Sequence, residues 1–348
     1  MISIYLILTF TLFLLIKLFY WAFDKKFINN IPGKYVLITG CDSGFGKRLT
    51  EKLLHFGVHV FAGCYTKIGK ESLENEFGEL KGKLMTVNLD ITNQQSIDHC
   101  YDLVVETLKK QNAKLHALIN NAGFLAVYGP MDWLDVSEYE QSINVNLLGN
   151  IRMTTKFLQL IKESKGRIVN MISSFGRIHG FYTAPYVTAK FGLEGYVDSL
   201  RLEMKQFGVK VSSLEPGGFK TNIMDPDAMT KRVEFVWGRL NEEIKTEYGE
   251  KFKNQFVKNH NIGSSFIANP NLDLVVDSYI HALFAENPKI RYICGYDAKF
   301  FYIPFSFLPS SWQDFLLEII MQIGYSKPAI LYNNSNFKVN FRKKFFKS

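Results

Sequence analysis

Tyr186 and Lys190 stand four residues apart in YVTAK. On a helix that spacing puts both on one face. The surrounding segment, PYVTAKFGLEGYVDSLRLEMKQFG, has helical periodicity over about five turns, with Gly208 as its stop. A phenol beside an ammonium is a proton-transfer device, because the positive charge favours phenolate and lowers a tyrosine pKa from about 10. An ordinary surface contact would use the same spacing. A second chemical feature is TGCDSGFG, carrying Thr39, Gly40, Asp42, Ser43, Gly44 and Gly46. Its glycines permit a tight turn and let backbone N–H groups approach a pyrophosphate at a helix N-terminus. At the end of the next strand an acid would accept from a ribose 2′-hydroxyl, and an arginine would receive a 2′-phosphate. This chain has Cys64-Tyr65-Thr66-Lys67 there. Asp42 and Ser43 favour NAD, and the arm of Lys67 keeps NADP open.

These groups need a scaffold. Seven short apolar runs alternate with helical stretches: YVLIT (35–39), VHVFAGC (58–64), KLMTVNL (83–89), LHALIN (115–120), GRIVNMISS (166–174), VKVSSLEP (209–216) and IRYIC (290–294). Continuous apolar runs without strict alternation read as buried parallel strands. The expected fold is α/β, a Rossmann-type doubly wound parallel sheet of about seven strands, in a single domain over residues 33–296. Between 228 and 260, Phe235, Leu240, Ile244, Tyr248, Phe252 and Phe256 recur at near-helical spacing. That stripe packs a core, roofs an apolar site, or does both.

The ends differ from the middle. Residues 1–23 are apolar apart from Lys17 and a few small polar residues, and their length fits a transmembrane or signal-anchor helix. No basic start or small-residue cleavage site marks a removable signal. Asp24-Lys25-Lys26 follows the span and puts the body on the cytosolic side. Residues 300–325 are apolar but broken by Pro304 and Pro309, and carry Asp314 and Glu318. They read as a helix resting on a membrane or on the domain. The chain closes on FRKKFFKS, so residues 300–348 face a membrane surface. Net charge is +8, but the basic residues are scattered and no nucleic-acid motif appears. Cys41, Cys64, Cys100 and Cys294 are widely spaced, with no zinc pattern, and read as free thiols in a reducing compartment. No metal site is expected.

Taken together, TGCDSGFG, NNAG (120–123), NVNLLG (144–149), ISSFG (172–176), YVTAK and PGGFKT (216–221) resemble the short-chain dehydrogenase/reductase family in order and spacing. The likeness covers about three-quarters of the chain. With the apolar N-terminus, TGCDSGFG further resembles the membrane-bound retinol and hydroxysteroid dehydrogenase branch. The resemblance implies Tyr186 as the acid/base. Lys190 would lower its pKa and hold the nicotinamide ribose, and Ser173 would bind the substrate oxygen, with Ser174 as rival. Asn146 would support a water-linked relay to Lys190, unless it is a helix-internal contact. Asn120 and Gly123 would line the cofactor groove with Pro216 and Gly217. Asp90 would face adenine or simply close a turn. Thr221 would reach the carboxamide or cap a helix. His179 and Tyr182 lie in the loop near the substrate, His179 reading as exposed.

The implied activity is an NAD(P)-dependent oxidation or reduction of an apolar alcohol or its carbonyl, of retinoid or steroid class, at the endoplasmic reticulum membrane. A homodimer is compatible with it. The 30 phenylalanines suit an apolar substrate. A non-catalytic nucleotide-binding scaffold and a reductase of acyl or sphingoid lipids are the alternatives.

Overall fold

The computed structural model describes residue 11 and residues 26–125, 128–324 and 327–333. Seven strands form one sheet: β1 (Tyr35–Thr39), β2 (His59–Cys64), β3 (Leu84–Asn88), β4 (Leu115–Asn120), β5 (Arg167–Met171), β6 (Lys210–Pro216) and β7 (Arg291–Cys294). Their order is β3-β2-β1-β4-β5-β6-β7, and every pairing is parallel. Helices cover both faces, which is why β1 and β5 are buried at every residue and show no alternation. On one face α1 (Gly44–His55) and α10 (Asp273–Phe284) bury Leu49, Leu53, Val275 and Tyr279. On the other, α3 (Gln94–Lys110), α5 (Asn150–Ser164) and α6 (Ala184–Met204) bury Ile97, Phe157, Leu193 and Val197.

The chain crosses from β3 to β4 through α3, then builds outward through β5, β6 and β7, so the winding reverses between β1 and β4. Ligands of open α/β sheets bind at such a switch point, outside the carboxyl ends of the strands. The strand expected over 166–174 stops at Met171, and residues 172–174 leave the sheet to form a loop and short 3₁₀ turn. That departure frees Ser173 from the ladder. α6 runs 21 residues and gives way to a 3₁₀ turn that ends on Gly208 at φ 72°.

The expected single stripe over 228–260 is three helices instead. α7 (Pro226–Arg239) ends at Leu240, and Gly249, at φ 77°, separates α8 (Glu242–Tyr248) from α9 (Glu250–Ile267). Phe252 and Phe256 join Trp133, Met229, Val233 and Trp237 in a third cluster above the sheet, whereas Phe235 is 70% exposed. Tyr182, at φ 65°, turns its ring into this cluster, 5.1 Å from that of Phe256. α11 (Ser310–Gly324) lies on the domain: His179 Nε2 is 3.6 Å from Asp314 Oδ1, and Tyr182 Oη is 3.9 Å from Met321 Sδ.

Among the described residues no helix is long and apolar enough to cross a membrane. The anchor expected over 1–23, residue 11 apart, and the FRKKFFKS tail lie outside the described residues. All four cysteines are free and buried.

Candidate active site

Six strand ends feed one cavity of about 1130 Å³. Gly40 follows β1, Tyr65 follows β2, Leu89 follows β3, Asn121 follows β4, Ser173 follows β5, and Gly217 follows β6; all line it. The loop after β1 is built around close backbone approaches. Gly40 has φ 72° and Gly44 φ 57°, conformations that side chains rarely adopt. A Cβ on Gly46 would sit 2.6 Å from Asn121 Nδ2 and 2.9 Å from the Gly40 carbonyl carbon. Thr39 and Gly46 themselves do not line the cavity; they lock the loop. The Thr39 hydroxyl accepts from Asn121 N at 3.0 Å and Ala122 N at 2.9 Å, and Asn121 Nδ2 donates to the carbonyls of Thr39 and Gly40. What remains is a small, backbone-lined cradle at the N-terminus of α1, which fits the phosphates of a dinucleotide.

The groove-lining expected of Asn120 falls to Asn121. Asn120 is buried and donates inward to Thr154 Oγ1 and Asn170 Oδ1, both at 2.9 Å. The alternation of a strand explains this, since neighbouring side chains point oppositely. The position after β2 is also revised. Cys64 is sealed in the sheet, its thiol pushed up to about 12 by burial, and does not line the cavity. Instead Asp42 reaches across from the loop after β1. Its carboxylate accepts from Tyr65 N (2.8 Å), Thr66 N (2.7 Å) and the Thr66 hydroxyl (2.7 Å). An acid therefore does stand at the end of β2. Lys67 is well exposed and lies 3.7 Å from Glu71 on the outer face of α2 (Lys67–Phe77). Asp90 lines the cavity while its Oδ1 closes its own turn on Thr92 N and Oγ1. Thr221 lines it too, and its side chain caps nothing.

Ser173, Tyr186, Lys190 and Asn146 meet in the middle of the cavity wall. Tyr186 is half-buried on the first turn of α6. Burial pushes its phenol up to about 12, against a hydrogen bond with Ser173 that pulls it down. Lys190 is almost wholly buried; its Nζ donates to the Met171 carbonyl at 3.0 Å and lies 5.5 Å from the Tyr186 ring centre. Burial pushes it down to about 7. The charge effect expected from YVTAK alone is thus absent in this state, because desolvation dominates both groups. Ser173, not Ser174, is the hydroxyl bonded to Tyr186, and it also accepts from Phe175 N at 3.1 Å.

Asn146 sits in a π-helical turn, Asn144–Gly149, between α4 (Val136–Ile143) and α5. Such bulges cluster at functional sites. Its amide clamps Phe124 from both sides: Oδ1 accepts from Phe124 N at 3.1 Å and Nδ2 donates to Phe124 O at 2.9 Å. A Cβ on Gly123 would come 2.9 Å from Asn146 Oδ1 and 3.7 Å from Lys190 Nζ, so that glycine keeps the space between them open.

Two supports were invisible in the sequence. Asp297 accepts from Gly218 N at 2.6 Å, and a Cβ on Gly217 would land on its carboxylate. It fixes the loop of Pro216 and Gly217, which both line the cavity. Below the site lies a buried ionic cluster. Arg291 Nε donates to Glu194 Oε1 at 2.8 Å and lies 3.0 Å from Glu215 Oε1, while Arg177 Nη1 reaches Glu215 Oε2 at 3.4 Å. Burial and the neighbouring Glu194 push Glu215 up to about 7. Glu194 is one turn beyond Lys190, Glu215 directly precedes Pro216, and Arg177 follows the Ser173 loop. The cluster ties all three to β7.

The sequence profile of the short chain dehydrogenases matches residues 34–231. A 3beta-hydroxysteroid dehydrogenase, dhs-16, of Caenorhabditis elegans is 47% identical over 325 residues, covering 90% of this chain and 84% of that protein. Retinol dehydrogenase 7 of Rattus norvegicus is 39% identical over 306 residues, 88% and 93% of the two chains. Among solved structures, a short chain dehydrogenase/reductase from Burkholderia phymatum, in complex with NAD, superposes with a TM-score of 0.66 over 86% of this chain and 99% of its own, at 18% identity. That last likeness is one of fold.

Proposed function

Because this chain belongs to the short chain dehydrogenase family, in the branch of retinol and hydroxysteroid dehydrogenases, we propose that it interconverts an apolar alcohol and its carbonyl, of retinoid or steroid class, through Tyr186. It is an NAD(P)-dependent oxidoreductase of alcohols. The observation that carries the substrate reading is the cavity itself. Ser173, Tyr186 and Lys190 open onto a chamber walled by Leu125, Ile178, Ile223, Phe301, Phe305 and Ile320.

The chemistry follows from the groups present. Oxidising a carbinol needs its O–H proton removed as hydride leaves carbon. Tyr186 takes that proton, and Ser173, already bonded to the phenol, steadies the developing alkoxide. Lys190, which burial brings down to about 7, stands beside the phenol as the next group for that proton, at the edge of the space kept by Gly123. When bound, the dinucleotide carries the hydride, and the chain orients it through the cradle of Gly40, Gly44, Gly123 and Thr221. Asn146 holds the Phe124 backbone that forms one wall.

For the cofactor we favour NAD over NADP. The Asp42 carboxylate at the end of β2 accepts from a 2′-hydroxyl and repels a 2′-phosphate. The advantage is about 1–2 kcal/mol, the size of one charged hydrogen bond. The test is kcat/KM on a panel of sterols, retinoids and acyl ketones with each cofactor. Turnover of the sterols or retinoids is expected, about tenfold better with NAD, with that preference kept in Lys67→Ala and erased in Asp42→Asn. A wild type that prefers NADP and loses the preference in Lys67→Ala makes Lys67 the reader. A panel on which acyl ketones alone turn over removes the retinoid or steroid reading.

We also propose that the C-terminal segment rests on a membrane. Phe300, Phe307 and Trp312 are 76%, 74% and 61% exposed, on the segment that walls the cavity, and Phe266 is 92% exposed at the end of α9. A patch of this kind marks an interaction surface. Protein lacking residues 1–23 should still float with phosphatidylcholine–phosphatidylserine vesicles, and Phe307→Asp with Trp312→Asp should reduce that flotation. Truncated protein left wholly in the soluble fraction sinks the second contact.

A further inference from the structure

Most of the chamber's substrate half is apolar, yet an arginine lines it. Arg232 lies on α7, the helix that roofs the cavity, and its Nη1 donates to the Leu125 carbonyl at 2.6 Å. Among the described residues it forms no ion pair. The acid that acts on it, Asp225, spends its carboxylate capping α7 through the backbone N–H groups of Asp227 and Ala228. The two carboxylates that line the cavity, Asp42 and Asp90, belong to the β2 and β3 ends and are bonded there. The other cations offer no substitute. Lys190 is committed to Met171 O, His179 faces Asp314 at 3.6 Å, and burial holds His260 neutral, its pKa pushed down to about 4. A half-buried guanidinium without a carboxylate is costly unless something anionic completes it. Its planar fork suits a carboxylate bidentately.

We propose that Arg232 binds a carboxylate carried by the substrate, so that the preferred alcohols are hydroxy acids with an apolar body. This deepens the proposed function and rests on it. Arg232 reaches in from α7, whereas Tyr186 stands on α6 and Ser173 after β5, so the carboxylate and the carbinol would be held by different elements of one chamber. Polar groups of α9 line the same chamber beside the roof. Asn259, Ser264 and the neutral His260, whose Nε2 is bonded to Ser264 Oγ at 3.2 Å, supply uncharged contacts for the body of such a ligand. α7 and α9 are joined there by Asn261 Nδ2 donating to Thr230 Oγ1 at 3.2 Å.

The experiment is binding of 3-hydroxycholanic acid and of its methyl ester to the NAD-loaded protein, with turnover of both measured in parallel. The wild type should bind the acid at least about tenfold more tightly than the ester. In Arg232→Gln the ratio should fall to about one, and in Arg232→Lys it should lie between. Equal binding of acid and ester by the wild type overturns the proposal. So does a preference that survives in Arg232→Gln, or a variant that loses acid and ester alike, the signature of a guanidinium that merely holds Leu125. A tenfold loss of NAD affinity in Arg232→Gln would assign the group to the cofactor and overturn it equally. Absence of turnover with either ligand strikes the hydride-transfer reading, while the binding ratio still decides the role of Arg232.

Discussion

Tyr186→Phe is expected to bind NAD within about twofold of wild type and to lose roughly 10²–10⁴ in kcat. The substitution removes one hydroxyl and leaves the ring in place against Phe175, whose centre lies 6.4 Å away. Packing is therefore conserved, and the missing group is the one that exchanges a proton with the substrate oxygen. A pH profile supplies an independent reading. The phenol is pushed up to about 12 by burial. Below its pKa the phenolate fraction rises tenfold per pH unit, so alcohol oxidation should climb with pH, while carbonyl reduction, which draws on the protonated phenol, should stay level until that pKa is approached. Binding of the oxidised, positively charged nicotinamide shifts where the climb ends without changing its direction. In Tyr186→Phe that slope should vanish. Turnover within a few-fold of wild type, with the slope intact, would remove Tyr186 from the chemistry.

Gly46→Ala should raise the NAD dissociation constant by up to roughly 100-fold and lower the melting temperature. The added methyl meets the Gly40 carbonyl and the Asn121 amide. The first is backbone of the turn that forms the phosphate cradle, and the second is a side-chain amide from the end of β4 held by two hydrogen bonds to that turn. Relief therefore requires the start of α1 to move away from β1, at about 1–3 kcal/mol of strain. About 2.7 kcal/mol of lost binding corresponds to the hundredfold. Gly195→Ala is the matched control, because a Cβ there meets nothing within 4 Å. It should leave NAD affinity intact and raise stability slightly through helix propensity. A Gly46→Ala protein that titrates with NAD like wild type would place the dinucleotide elsewhere.

The sheet was readable from the sequence because buried parallel strands announce themselves as apolar runs. All seven lay within the expected stretches, and the largest disagreement, at 172–174, fell where the chain leaves the ladder to carry Ser173. The site was readable where chemistry fixes local spacing. Tyr186 and Lys190 share a helix, and the glycines share a turn. It was unreadable where partners come from distant parts of the chain. Asp42 accepts from Thr66, 24 positions away, and Asp297 from Gly218, 79 away. Periodicity carries no information about either pair. Asn120 was mistaken for its neighbour because two adjacent asparagines differ only in which face of the strand end they occupy. Burial was the other blind quantity. Proximity of Lys190 implied an acidified tyrosine, whereas desolvation raises one group and lowers the other.

The chamber's last wall has a consequence for how the protein is made. Every residue of the nucleotide cradle, from Gly40 to Thr221, precedes Phe301, Phe305, Leu317 and Ile320, the residues that close the substrate side. At 5–20 residues per second the ribosome needs about 5–20 s to travel from Thr221 to Ile320. During that interval the growing polypeptide already contains its phosphate loop, Ser173, Tyr186 and Lys190 but lacks Phe301, Phe305, Leu317 and Ile320. The lining of the nucleotide cradle is thus translated before Asp297, which braces its Pro216–Gly217 loop, and before α11, whose Leu317 and Ile320 close the substrate side.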